Sequence, residues 1–267
     1  MLERQWREQC EELAREAASS GPHPPPPARE RYDLVVPRSA CPACGAAIGA
    51  LQNIPLVSYL VLRGRCAACG ARISPRYPLV EALSGVLSAA VAARFGFGWP
   101  AAAALILTWF LIALAFIDLD RQLLPDSLTL PLLWIGLTLS LWSAHAGAAP
   151  VPVDVRASVL GALAGYLSLW SVFQLFRLAT GKEGMGYGDF KLFAALGAWL
   201  GWQLLLPTLL AAAAVGAIVG IVVLTVRGKS RATPIAFGPF LAAAGWIMLM
   251  CGRELVARYL GLYGMHP

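Results

Sequence analysis

Long stretches without a single charged side chain dominate this sequence and limit what it can fold into. Uncharged runs cover residues 95–117, 127–153, 157–176, 192–226 and 232–252, with a shorter one at 82–93. A helix needs about 20 mostly apolar residues to cross a ~30 Å hydrocarbon core, so each long run is a candidate span. The short run qualifies if it begins near Pro78 and carries Glu81 at the interface. Only 13% of residues are charged and 58% are hydrophobic, against roughly a quarter charged in soluble domains. Surfaces of this composition face lipid.

The run 192–226 is too long for one crossing, since as a single helix it would measure roughly 52 Å at ~1.5 Å per residue. Pro207 lies near its middle, and Trp199 and Trp202 upstream favour a membrane interface. The run therefore reads as two spans meeting at a tight turn. The expected fold is an all-α polytopic membrane protein of about seven transmembrane helices, near 78–95, 100–118, 127–145, 156–178, 189–205, 207–226 and 237–252. Ahead of them stands a small lobe with two CxxC pairs, at 41–44 and 66–69, which reads as a cytoplasmic lobe of zinc-ribbon type. Four segments follow: a charged helix and proline-rich linker (1–31), the zinc-binding lobe (32–77), the transmembrane bundle (78–252) and a short periplasmic tail (253–267).

The formal net charge of +6 would suggest nucleic acid in a soluble protein. Here it fits the positive-inside rule better, with membrane lipid rather than nucleic acid as the partner. With a cytoplasmic N-terminus, seven spans put Arg121, Arg177, Lys182, Lys191, Arg227, Lys229 and Arg231 inside. They join ten basic residues of the N-terminal lobe, and only Arg94, Arg156, Arg253 and Arg258 fall outside. Reading 192–226 as one span would move the 227–231 cluster to the wrong face. Residues 1–17 read as a charged helix with Leu2, Trp6, Cys10, Leu13 and Ala17 along one side. The stretch 21–27 (GPHPPPP) is a stiff linker or loop, and no apolar segment of signal-peptide type is present at this end.

The strongest local motif lies in the lobe. Cys41 and Cys44 form one CxxC pair, Cys66 and Cys69 another, and Gly45 and Gly70 follow directly. Two such knuckles supply four soft ligands suited to tetrahedral Zn²⁺ in a closed structural site. The spacing between them slightly exceeds the usual window. Two disulfides or idle thiols are the alternatives, and a cytoplasmic lobe disfavours disulfides. Cys10 and Cys251 read as ordinary small hydrophobes.

Two aspartates stand where spans end. Asp118 closes the second span within IDLDRQLLPD (117–126), and Asp189 opens the fifth within GMGYGDFK (184–191). Charge at membrane depth is expensive and tends to be functional. Two carboxylates held together near a low-dielectric boundary share a proton. One can then act as base on a water while the other donates to a peptide carbonyl oxygen. Singly, each has a plain alternative: Asp189 as a helix N-cap, Asp118 as the point where a helix leaves lipid. Gly184, Gly186 and Gly188 favour function for Asp189, because they would let a peptide approach the backbone. They are not a dinucleotide fingerprint, since no strand precedes them. Asp120 reads as part of a solvated loop, and Asp126 as a helix N-cap after Pro125.

Taken together these motifs resemble the prepilin peptidases, or type IV leader peptidases, of the GxGD class of intramembrane aspartyl proteases. The resemblance runs from about 32 to 252. It includes NIP at 53–55, LRGR at 62–65 and ISPRYPLVE at 73–81, then Pro234 and FGPF at 237–240. It implies a bifunctional enzyme of the bacterial inner membrane with its active site facing the cytoplasm. Such an enzyme cleaves the leaders of type IV prepilins and type II secretion pseudopilins, usually between glycine and phenylalanine. It then methylates the new N-terminal amine with S-adenosylmethionine. By motif, Asp118 and Asp189 are the protease pair and Cys41, Cys44, Cys66 and Cys69 the zinc ligands. Without a Rossmann glycine motif, S-adenosylmethionine must bind in another way.

Family members normally begin with a further transmembrane helix before the zinc loop. This chain starts at Met1 with soluble sequence, so that helix is expected either to be lost or to lie upstream of the assigned start. A transporter relaying ions through its aspartates would place them nearer the bilayer middle. A non-enzymatic assembly scaffold would leave the glycine-rich Asp189 motif without purpose.

Overall fold

The computed structural model describes residue 11 and residues 39–49, 54–146, 153–182, 185–227 and 236–262. The expected N-terminal helix apart from residue 11, the 21–27 linker, Asn53, Gly184 and Pro234 lie outside the described residues. The chain divides into two compact units, Met1–Ala82 and Leu83–Pro267.

In the first unit two near-identical knuckles are built without extended strands. Isolated antiparallel bridges pair Ala40 with Ala47 and Arg65 with Arg72. The Cys41 N–H donates to the Ala46 carbonyl, and the Cys66 N–H to that of Ala71. Gly45 and Gly70 close the turns at φ of 71° and 69°, a left-handed conformation that penalises a Cβ. Helix α1 (Pro55–Val61) has proline in its first turn, where a missing N–H is harmless. The Leu56 N–H donates to the Glu81 carboxylate.

Helix α2 (Arg76–Phe95) precedes the helices of the second unit: α3 (Trp99–Arg121), α4 (Asp126–Ala146), α5 (Val155–Thr180) and α6 (Tyr187–Leu200). A 3₁₀ turn (Trp202–Leu204) leads into α7 (Leu205–Arg227), and α8 (Gly238–Leu262) follows. Helix thus occupies each of the seven expected stretches. Among the described residues, Arg76–Phe95, Trp99–Arg121, Val155–Thr180 and Trp202–Val223 are long and apolar enough to cross a membrane, and Gly238–Gly252 is a shorter apolar helix.

Helix α6 is the hub. Asp189, Phe190 and every residue from Leu192 to Leu200 are buried, and α5, α4, α8 and α7 all pack on it. A helix buried all round must be apolar all round, which explains LFAALGAWL. Its 14 residues span only about 21 Å at ~1.5 Å each. Backbones meet where α5 crosses: a Cβ on Gly161 would lie 2.2 Å from the Gly197 carbonyl oxygen. Small residues permit such approach between membrane helices. The Ser158 hydroxyl donates to the Ala198 carbonyl (2.7 Å), and the Trp199 indole N–H to that of Leu132 (2.8 Å).

Three sequence expectations shift. The break inside 192–226 falls at Gly201, whose φ of 81° and ψ of 163° end α6, and not at Pro207. Pro207 sits in the first turn of α7, which tolerates proline. Trp199, expected at an interface, is 1% exposed, because Gly136 leaves room for its ring: a Cβ there would lie 2.6 Å from Trp199 Cδ1. Trp202 is exposed. The last helix continues past 252 to Leu262. Val256 still packs on the core, and Arg94 reaches both the Glu254 carboxylate and the Met250 carbonyl.

Candidate active site and metal centre

On α3 the buried positions Ala103, Ala104, Leu107, Leu111 and Leu114 recur at helical spacing, and Asp118 continues the series. The apolar stripe that packs α3 into the bundle therefore carries its last member, a carboxylate, inward. Asp118 is 5% exposed. Its Oδ2 accepts the Gly238 N–H at 3.0 Å, a contact from the first residue of α8. A Cβ at position 238 would lie 2.6 Å from that oxygen.

Asp189 is the third residue of α6, behind Gly186 as N-cap, so it is not itself the cap. It is 8% exposed. Its backbone N–H donates to the Gly186 carbonyl at 3.2 Å, and its carboxylate interacts electrostatically with Asp118. The end of α3 and the start of α6 thus converge on one buried carboxylate pair.

The turn between α3 and α4 locks this arrangement. Gln122 adopts φ 52°, ψ 39°, and its N–H donates to the Asp118 carbonyl, ending α3. Leu124, two residues on, is buried between two glycines. A Cβ on Gly188 would lie 2.6 Å from Leu124 Cβ, and one on Gly238 would lie 3.2 Å from Leu124 Cδ1. The structure thus corrects the reason for Gly188: it accommodates Leu124 of its own chain. The Asp126 carboxylate takes the Lys191 ammonium on both oxygens at 2.6 Å. Asp126 is the first residue of α4, not its cap. Asp120 is exposed, as expected, but it belongs to the last turn of α3 rather than to a loop. The Gly238 contact and the Lys191–Asp126 pair escaped the sequence reading. The signal for the first was FGPF, a glycine–proline start to an apolar run.

In the first unit the Sγ atoms of Cys41, Cys44, Cys66 and Cys69 all lie within 4.8 Å of one another, and Cys41 and Cys69 are 3.9 Å apart. Zn–S bonds of ~2.3 Å in a tetrahedron give S···S edges of about 3.8 Å. The donor set and its spacing therefore fit zinc. All four are free thiols. The backbone N–H groups of Cys69 and Ala68 lower Cys66 to about 6. At Cys69 the Ala71 N–H also lowers, but the thiol of Cys44, burial and the thiols of Cys66 and Cys41 outweigh it and push Cys69 up to about 11. Crowded thiolates repel one another, and a divalent cation removes that repulsion. Cys251 hydrogen-bonds the Ile247 carbonyl within its own helix, like an ordinary helical thiol. Cys10 lies outside the described residues.

A helical membrane protein with a buried carboxylate pair and a Cys₄ cluster is the class this architecture defines. Residues 105–221 match the family model of the type IV leader peptidase family, and residues 17–95 match the bacterial Peptidase A24 N-terminal domain. A prepilin leader peptidase/N-methyltransferase of Aeromonas salmonicida (strain A449) is 53% identical over 260 residues, covering 97% of this chain and 85% of that protein. The protein of the same name from Pseudomonas aeruginosa is 52% identical over 264 residues, covering 99% and 86%. That from Xanthomonas campestris pv. campestris is 46% identical over 264 residues, covering 99% and 87%. No solved structure matches. The chain belongs to the type IV leader peptidase family and is a protease with methyltransferase activity.

Proposed function

We propose that the chain cleaves the leaders of type IV prepilins and type II secretion pseudopilins with Asp118 and Asp189, and then N-methylates the new N-terminal residue. The observation that carries this reading is the convergence of two motif aspartates on one buried, electrostatically interacting pair. One carboxylate takes a proton from the attacking water while the other donates to the scissile carbonyl oxygen. The Gly238 N–H fixes one oxygen of Asp118, leaving the other for the reacting atoms. Both aspartates lie at helix ends that the basic asymmetry assigns to the cytoplasmic face. S-adenosylmethionine supplies the methyl group for the second activity. Zinc bound by the four thiolates holds the knuckles together as a structural ion.

The test is conversion of a purified prepilin by membranes carrying the chain, read as leader loss on a gel and as transfer of labelled methyl from S-adenosylmethionine. Conversion in both readouts is expected, and an unprocessed prepilin overturns the proposal. Gly238→Ala should lower cleavage roughly 10²-fold, since a Cβ there displaces Asp118 by an amount that spoils alignment. Wild-type kcat in that variant contradicts the role of the contact.

Seven crossings, with the N-terminus in the cytoplasm and the C-terminus in the periplasm, follow from the same charge asymmetry. Reporter fusions after Pro150 and at the C-terminus should both report the periplasm. A cytoplasmic signal from either refutes the assignment.

A further inference from the structure

We infer that Lys191 and Asp126 form a positioning latch that sets the relation of Asp118 to Asp189. The two aspartates sit on separate elements, one at the end of α3 and one at the start of α6. Asp126 follows Asp118 by one short turn, and Lys191 follows Asp189 by two residues. The bidentate contact, with Nζ 2.6 Å from each carboxylate oxygen, therefore ties together the same two elements just beyond the carboxylates. Leu124 against Gly188 is the apolar half of the same junction.

A purely structural role explains this pair poorly. The Asp126 and Lys191 side chains are 56% and 28% exposed, and exposed ion pairs add little to stability. Lys191 also stands within the first turns of α6, where the helix dipole disfavours a cation. Asp126, in the first turn of α4, is well placed without any partner. The lysine therefore gains from the aspartate more than the reverse. Nor is its charge directed at the pair: its ammonium is engaged by both oxygens of Asp126. What remains is geometry.

The latch has this role only if Asp118 and Asp189 do the chemistry. The experiment is steady-state cleavage of a purified prepilin by the full-length chain in detergent. It compares the parent with Lys191→Met, Lys191→Arg, Asp126→Asn, the Lys191→Met/Asp126→Asn double variant and Asp118→Asn. Thermal melting of each protein is measured alongside. Lys191→Met and Asp126→Asn should each lower kcat roughly 10- to 100-fold, with KM and melting temperature held. The double variant should be no worse than either single, because both remove one interaction. Lys191→Arg should recover most of the rate. Parent kcat in Lys191→Met, or losses that multiply in the double variant, overturn the latch. So does a rate loss that appears only with a matching fall in melting temperature. Asp118→Asn separates the two levels. Cleavage retained there removes the catalytic reading itself. Its loss there, beside full activity in Lys191→Met, removes the latch alone.

Discussion

Asp118→Asn and Asp189→Asn should each reduce leader cleavage to background, a fall of roughly 10²- to 10⁴-fold for the loss of general acid–base catalysis alone. An asparagine keeps the shape and can still accept the Gly238 N–H at position 118, so the loss would be chemical and not a failure to fold. Because the carboxylates interact with one another, they should behave as a unit. The double variant should be no slower than the worse single one, since a shared-proton pair fails when either member is gone. Asp120→Asn is the internal comparison: that side chain is exposed in the last turn of α3 and should keep substantial activity. Rates for all four variants on one prepilin check this. Full cleavage by either asparagine variant removes the basis for an aspartyl mechanism.

The second large effect concerns the Cys₄ cluster. Cys41→Ser and Cys66→Ser should each release zinc and unfold the knuckles, because metal-binding energy in such sites is folding energy. For structural zinc it reaches about 10–16 kcal/mol in small peptides. One zinc per chain is expected in the parent by elemental analysis, together with protease resistance across 39–82 that the serine variants lose. Unchanged zinc content in those variants contradicts the assignment. If methylation depends on the lobe, Asp118→Asn should still methylate a pilin that has already been cleaved.

Much of this was legible because it depends on local chemistry. The helices could be read from uncharged runs, since lipid tolerates nothing else at that length. The CxxC–Gly repeats gave the knuckles because ligand spacing and turn conformation both lie within five residues. Asp118 could be picked out from its place at the end of an uncharged run, within IDLDRQLLPD. Relations across the bundle were not legible. Trp199 looked interfacial in sequence, yet the space beside Gly136 admits it to the core. Pro207 looked like the break, yet proline is harmless in a first turn and Gly201 carries the positive φ. Asp126 looked like a cap because local sequence offers that role, whereas its true partner, Lys191, is 65 residues away. Gly188 likewise took its meaning from Leu124, a residue on another turn. Side chains whose partners lie on distant segments leave no periodic trace.

The most direct test is the mass of the product's N-terminus. A purified prepilin is incubated with the full-length chain and S-adenosylmethionine, in parallel with Asp118→Asn and Asp189→Asn, and each product is analysed by intact mass and N-terminal fragmentation. The expected result is a pilin lacking its leader and carrying one added methyl on the new terminal amine. It should appear with the parent protein and with neither aspartate variant. The same shortened pilin from either variant, or an intact prepilin from the parent, contradicts the account.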